Sequence, residues 1–240
     1  MKKEIEYLEG KLNEIQYDSN LFKVRFGENK YIFGITSADN NMASGLGGIM
    51  QYNTLYQTLI DLDIKIKISF REAIRFAYSE NVLKNFSIIE MKTNEEIWGY
   101  YYIENALFRT SSLWDMLAQF YRLYFKVQIK AHRVYYKKIF NPNSPLSNGF
   151  KEKATIISNY LNQENDISIN DEWKGNHKFV NEIRNKMTHR NSPNVSVISD
   201  FDVNFKHHPS YLLKRIIEDY NMASKFILSI LDEVLREMGE

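Results

Sequence analysis

The sequence predicts a mainly α-helical protein: an antiparallel four-helix bundle over residues 94–240, preceded by a small α/β region, residues 1–93, that contains a β-hairpin. Three observations carry this. From Glu95 to about Lys138 there is no Pro, and no Gly after Gly99, while apolar residues recur at helical spacing. Ser210 to about Met238 repeats that pattern. Near the N-terminus, two short aromatic and β-branched runs flank Gly27-Glu28-Asn29.

Taken in order, residues 2–16 place Ile5, Leu8, Leu12 and Ile15 at steps of three and four, the period of one helical face. LFKVRF and KYIFGI then suit two strands joined by a tight turn. Ser37 to Gly48, SADNNMASGLGG, reads as a loop; no Gly-Lys-Ser/Thr follows its glycines, so it is a poor phosphate cradle. Residues 51–86 are expected to form two helices, with DLDIKIKIS between them as a linker or strand. The second carries Phe70, Ile74, Ala77, Tyr78 and Leu83.

The bundle begins with one very long helix, or two nearly collinear ones, over 95–138, with Ile103, Leu107, Trp114, Leu117, Tyr121, Tyr124 and Val127 on one stripe. NPNSPLSNG at 141–149 holds two of the chain's 4 prolines and breaks it. Helices at about 150–163 and 171–190 follow, then an irregular stretch, NSPNVSVISDFDVNFKHHP. The final helix has Leu213, Ile216, Ile217, Tyr220, Ala223, Ile227, Ile230, Leu231 and Val234 as its apolar stripe. Four such stripes pack as a bundle.

Composition narrows the function. The 240 residues are 25% charged and 44% hydrophobic, which suits one or two buried cores. With 31 Lys+Arg against 30 Asp+Glu the formal charge is +1, so any polyanion must be held by a local patch. A count of 0 cysteines excludes disulfides, thiolate metal sites, iron–sulfur clusters and Cys nucleophiles. The opening MKKEIEYLEGKLNEIQ has no signal-peptide core, and no apolar run nears the ~18–20 residues that cross a bilayer. A cytoplasmic protein with no membrane partner is expected. No Gly-x-Ser-x-Gly elbow, His-Glu-x-x-His helix or kinase signature occurs.

The predicted third bundle helix reads WKGNHKFVNEIRNKMTHR, with Arg184 and Asn185 before His189 and with Arg190, Asn191 and Pro193 ending it. RNA carries its own nucleophile, the 2′-OH, so cleavage needs only a proton acceptor, a proton donor and positive charge on the transition state. His189 exchanges protons near pH 7, and Arg184 forks onto phosphate oxygens. Asn185 and His189 are four apart and share a helical face. Arg184 and His189 are five apart, about 140° around an ideal helix, so one rigid helix converges them poorly and a second subunit would help.

Arg184-Asn185-Lys186-Met187-Thr188-His189 resembles the Arg, polar residue, spacers, His motif of the HEPN superfamily, helical bundles that include metal-independent ribonucleases of toxin–antitoxin, phage-defence and RNA-processing systems. The resemblance covers about 95–240. It implies cleavage by 2′-OH attack without a metal or cofactor, a homodimer that assembles the site, and room for an inhibitory protein partner. In the nucleotidyltransferase-regulated branch a Tyr stands two positions after the His; here that position is Asn191, so the resemblance does not reach that branch.

Further along the expected long helix, Arg122, Lys126, Lys130, Arg133 and Lys137 recur every three or four residues, with no acidic residue between Asp115 and Glu152. Tyr121, Tyr124, Phe125, Tyr135, Tyr136 and Phe140 interleave, so phosphates and bases are both provided for. Lys186 and Arg190 extend the basic set. Glu104 and Asp115 are candidates for orienting Arg184 or His189 from a neighbouring helix. The rival sites are Asp61-Leu62-Asp63-Ile64-Lys65, an acidic-x-Lys triplet like that of Mg²⁺ nucleases, and His207-His208, which lacks a third ligand for zinc. The competing function is a non-catalytic helical module that binds RNA, a nucleotide or a protein.

Overall fold

The computed structural model describes residues 1–22, 25–26, 30–31, 44–167, 172–189, 192–198 and 203–238. It is mainly helical. The elements are α1 (Lys2–Asn13), β1 (Arg25–Phe26), β2 (Lys30–Tyr31), α2 (Ser44–Ala77), α3 (Glu80–Asn85), α4 (Asn94–Tyr124), α5 (Tyr136–Ile139) and α6 (Lys151–Leu161). They continue with β3 (Asp166–Ile167), β4 (Trp173–Lys174), α7 (Asn176–His189), β5 (Val197–Ile198), β6 (Val203–Asn204) and α8 (Pro209–Met238). No helix among the described residues is long and apolar enough to cross a membrane.

Among the described residues the strands form three antiparallel two-stranded pairs. The first aligns Arg25 with Tyr31 and Phe26 with Lys30, as the two flanking runs led one to expect; Gly27-Glu28-Asn29 lies outside the described residues. The pairs β3–β4 and β5–β6 were not anticipated: each strand is two residues long, too short for alternation to be seen in sequence.

The expected break in DLDIKIKIS is absent. Residues 61–69 lie inside the 34-residue α2. Ile66 is buried while Ile64 and Ile68 are exposed, the reverse of a strand that would turn all three the same way. The charges that suggested a linker are i,i+4 partners, Asp61 with Lys65 and Asp63 with Lys67. Ser44 to Gly48 open this helix, whereas residues 37–43 of the expected loop lie outside the described residues. Leu83 is exposed on the separate α3.

The expected helix over 95–138 is shorter. Its start is secured by a capping box, Thr93 and Glu96 bonding each other's backbone amides. It ends at Tyr124, where Val127 N donates to Arg122 O and Lys126 N to Leu123 O, the paired closure in which the residue beyond the cap is left-handed. That residue is Lys126, at φ +50. A left-handed backbone costs a non-glycine residue roughly 1–2 kcal/mol, so the stop is not visible as a Gly or Pro. The chain then folds back along α4: Gln119 Nε2 holds Ala131 O at 2.8 Å, and Asp115 Oδ1 accepts Tyr136 N at 3.1 Å.

The most extensive packing is α2 along α4, followed by α4 on α8 and α7 on α8. Gly99 of α4 lies against Phe76 and Ala77, so α2 and α4 run antiparallel. One core spans residue 93: Leu8, Leu12, Tyr56, Leu59, Phe70 and Ala73 pack in the same cluster as Trp114, Leu117 and the α8 stripe from Leu213 to Leu231. Helix α2, from the region expected to be a small α/β unit, is thus central to the helical packing. All nine expected apolar residues of α8 are buried, and Pro209 starts that helix where its missing N–H is harmless.

Candidate functional site

Helix α7 is set by a turn that requires glycine. Gly175 has φ +70, and a Cβ there would meet the backbone of Asn165 and Glu164 at 2.7 Å. Val180, Ile183 and Met187 then face the core, leaving Arg184 half-buried beside them and Asn185, Lys186 and Thr188 exposed. Arg184 Nη2 donates to Asn185 Oδ1 at 3.1 Å, and Thr188 Oγ1 donates back to the Arg184 carbonyl at 3.1 Å. His189 is the last residue of the helix; its side chain, together with Arg190 and Asn191, lies outside the described residues.

Arg184 makes no ion pair within 4.0 Å among the described residues, yet its charge is felt by three groups. Burial raises the Asp115 carboxyl above the ordinary range, against the opposing pull of the Tyr136 amide and Arg184. Burial lowers the Lys137 ammonium, and Arg184 lowers it further. Burial raises the Tyr136 hydroxyl, with Arg184 opposing. Asp115, Tyr136 and Lys137 therefore lie within electrostatic reach of Arg184, and of the two candidate orienting carboxylates only Asp115 feels its charge. Glu104 instead accepts Asn194 Nδ2 at 2.6 Å, fastening the turn after α7.

Four groups that the sequence analysis did not single out, His177, Arg215, Glu218 and Asp219, are buried together in and beside α7. His177 Nε2 lies 3.0 Å from Tyr136 Oη, and its Nδ1 lies 3.3 Å from Asp219 Oδ1, close but not aligned as a hydrogen bond. Asp219 also accepts Trp114 Nε1 and Tyr160 Oη, both at 3.1 Å. Beside it Arg215, fully buried, donates to Asn176 and Asn165 and stacks on Trp173 and Phe179. Glu218 accepts Asn176 Nδ2 at 2.8 Å and Tyr7 Oη at 3.0 Å, with burial raising its carboxyl. The available signal was Arg215, Glu218 and Asp219 lying within the apolar stretch of α8, where charge needs a buried partner.

The basic residues do not form one helical ridge. Arg122 is on α4; Lys126 and Lys130 are on the turn after it; Arg133 is on a 3-10 turn and Lys137 on α5. The cause is the left-handed closure at Lys126, which changes the chain direction. Arg122, Lys126 and Lys130 line one open groove, whereas Lys137 is outside it and feels the charge of Arg184. Lys186 is exposed on α7 and its charge adds to burial in lowering His207.

The rival residues have structural tasks. Asp63 is buried between Lys67 and the Tyr220 hydroxyl, while Asp61 pairs outside with Lys65. His208 Nδ1 accepts Ser210 N at 3.2 Å and caps α8; His207 packs against Tyr211 and Phe179. Among the described residues no group of three or more His, Asp or Glu side chains is placed to hold a metal ion. Compared with protein-family models, curated proteins and solved structures, the chain matches none.

Proposed function

We propose that this protein is a metal-independent endoribonuclease of the HEPN type, with Arg184, Asn185 and His189 as its catalytic group. One observation carries the proposal: Arg184 stands half-buried with no carboxylate within 4.0 Å among the described residues, near the helix end that carries His189, and within the electrostatic influence of Lys137 and Asp115. A guanidinium held this way is available to a phosphate.

In the proposed reaction His189 accepts the 2′-OH proton as that oxygen attacks the adjacent phosphorus. Arg184, aided by Lys137, takes the charge that grows on the non-bridging oxygens. The 5′-oxygen leaves with the proton that the His189 imidazolium returns, giving a 2′,3′-cyclic phosphate and a 5′-hydroxyl. Asn185 holds Arg184 or the phosphate. Helix geometry separates Arg184 and His189 by about 140°, which favours a homodimer whose two-fold axis runs beside α7. A bundle-type RNA cleaver restrained by an inhibitory protein suits a toxin or phage-defence setting.

The test is incubation of wild-type protein with RNA in EDTA. Cyclic-phosphate ends that disappear in His189→Ala and Arg184→Ala are expected. No cutting, or cutting that needs Mg²⁺, rejects the proposal; RNA retention without cutting points to the binding module.

A further inference from the structure

Two adjoining hollows, about 720 Å³ and 540 Å³, share Gln51, Arg122 and Leu123. Together they form one groove that follows antiparallel α2 and α4 and passes over the turn after α4. Its floor carries Leu55, Met116, Leu123, Val127 and Ile129, all half-buried, beside the polar Thr54, Thr58, Ser112 and Gln119. Arg122, Lys126 and Lys130 line one end and make no ion pair among the described residues. The other end reaches Asp115, the carboxylate that feels Arg184.

Lys126 adds an independent observation. It occupies the left-handed position, φ +50, that glycine fills without strain. Residues held in sparsely populated backbone regions cluster at functional sites, so the conformation of Lys126 points to a use for its side chain. The only chemical difference between Lys and Gly at this position is a long cationic arm, and that arm lines the groove.

We infer that the α2/α4 groove binds single-stranded RNA, with Arg122, Lys126 and Lys130 on successive phosphates and the bases lying over the half-buried apolar side chains of its floor. The inference rests on the ribonuclease proposal only for the choice of RNA as the polymer. A duplex keeps its base faces stacked inside and cannot use the floor, so the groove selects single strands.

The experiment measures binding of a 2′-O-methyl oligoribonucleotide, which has no free 2′-OH and reports binding alone, by fluorescence anisotropy across salt. Lys126→Gly is expected to melt at a higher temperature than wild type, to bind several-fold more weakly, and to show a log–log salt slope smaller by about 0.7. Lys126→Asn, whose side chain also tolerates the left-handed region, should lose the same affinity even if glycine loosens the turn. The hybridised duplex should bind more weakly than the single strand.

Unchanged affinity and slope in both variants would overturn the groove. So would duplex binding as tight as single-strand binding, or equal binding of polyglutamate. The two proposals fail separately: weakened binding in the variants with no cleavage of ordinary RNA by wild type rejects the ribonuclease and retains the groove. Cleavage by wild type with unaltered binding in the variants does the reverse.

Discussion

The Tyr136 hydroxyl and Nε2 of His177 lie 3.0 Å apart in the interior, joining the segment that carries Lys137 to the helix that carries Arg184. The tautomer with its proton on Nδ1, toward Asp219, leaves Nε2 free to accept from Tyr136. Both residues are almost wholly buried, so the bond has no ready substitute in water. Tyr136→Phe is expected to lower stability by about 1–3 kcal/mol in urea unfolding, the cost of an unpartnered buried group. It should also slow RNA cleavage, because Lys137 follows on the same turn. An unchanged unfolding midpoint would contradict this.

Because one helix separates Arg184 from His189, the proposed dimer uses Arg184 of one subunit with His189 of the other. Arg184→Ala and His189→Ala, each inactive, should then regain part of the wild-type activity when mixed and allowed to exchange subunits. Heterodimers that form and remain inactive would rule out a crossed site.

Glu96 and Lys206 meet at 2.9 Å with side chains 1% and 2% exposed, and Glu96 also completes the cap of α4. Removing either partner leaves a buried charge. Lys206→Ala or Glu96→Ala is therefore expected to cost about 3–5 kcal/mol, and the double change Glu96→Leu with Lys206→Met much less than the sum. Chemical denaturation of the three variants measures the coupling; additive losses would refute it.

His208 makes the fold sensitive to acid. Burial lowers its folded-state pKa, with Glu96 and Glu4 opposing, and Nδ1 must stay unprotonated to accept Ser210 N. A lowered histidine favours the neutral form. Its stabilisation is thus present above the unfolded value, near 6.5, and is lost as pH falls through the folded value. His208→Asn, which keeps a cap acceptor, should flatten the loss of Tm between neutral pH and about pH 5, leaving the part due to His207. His208→Ala should cost about 0.5–2 kcal/mol at neutral pH. A pH profile identical in wild type and His208→Asn would exclude this role.

What the chain determines by itself is the helical character and the stripes. Leu8, Leu12, Trp114, Leu117, Tyr121 and the nine apolar residues of α8 are buried as their spacing requires, since periodicity directly encodes which face meets the core. The placement of Arg184, Asn185 and His189 at the end of one helix was legible for the same reason. Three things were not. The unbroken α2 was hidden because Asp61, Asp63, Lys65 and Lys67 look like a polar interruption until their i,i+4 partners are seen. The end of α4 was hidden because Lys126 takes a glycine conformation and carries no helix-breaking signature. The groove, the cluster around His177, Arg215 and Asp219, and the electrostatic influence of Arg184 on Asp115 rather than Glu104 arise from groups far apart in the chain, 105 residues apart for Trp114 and Asp219. Only packing brings such groups together: a local pattern reports the face a residue occupies, while its partner across the core depends on where every other helix lies.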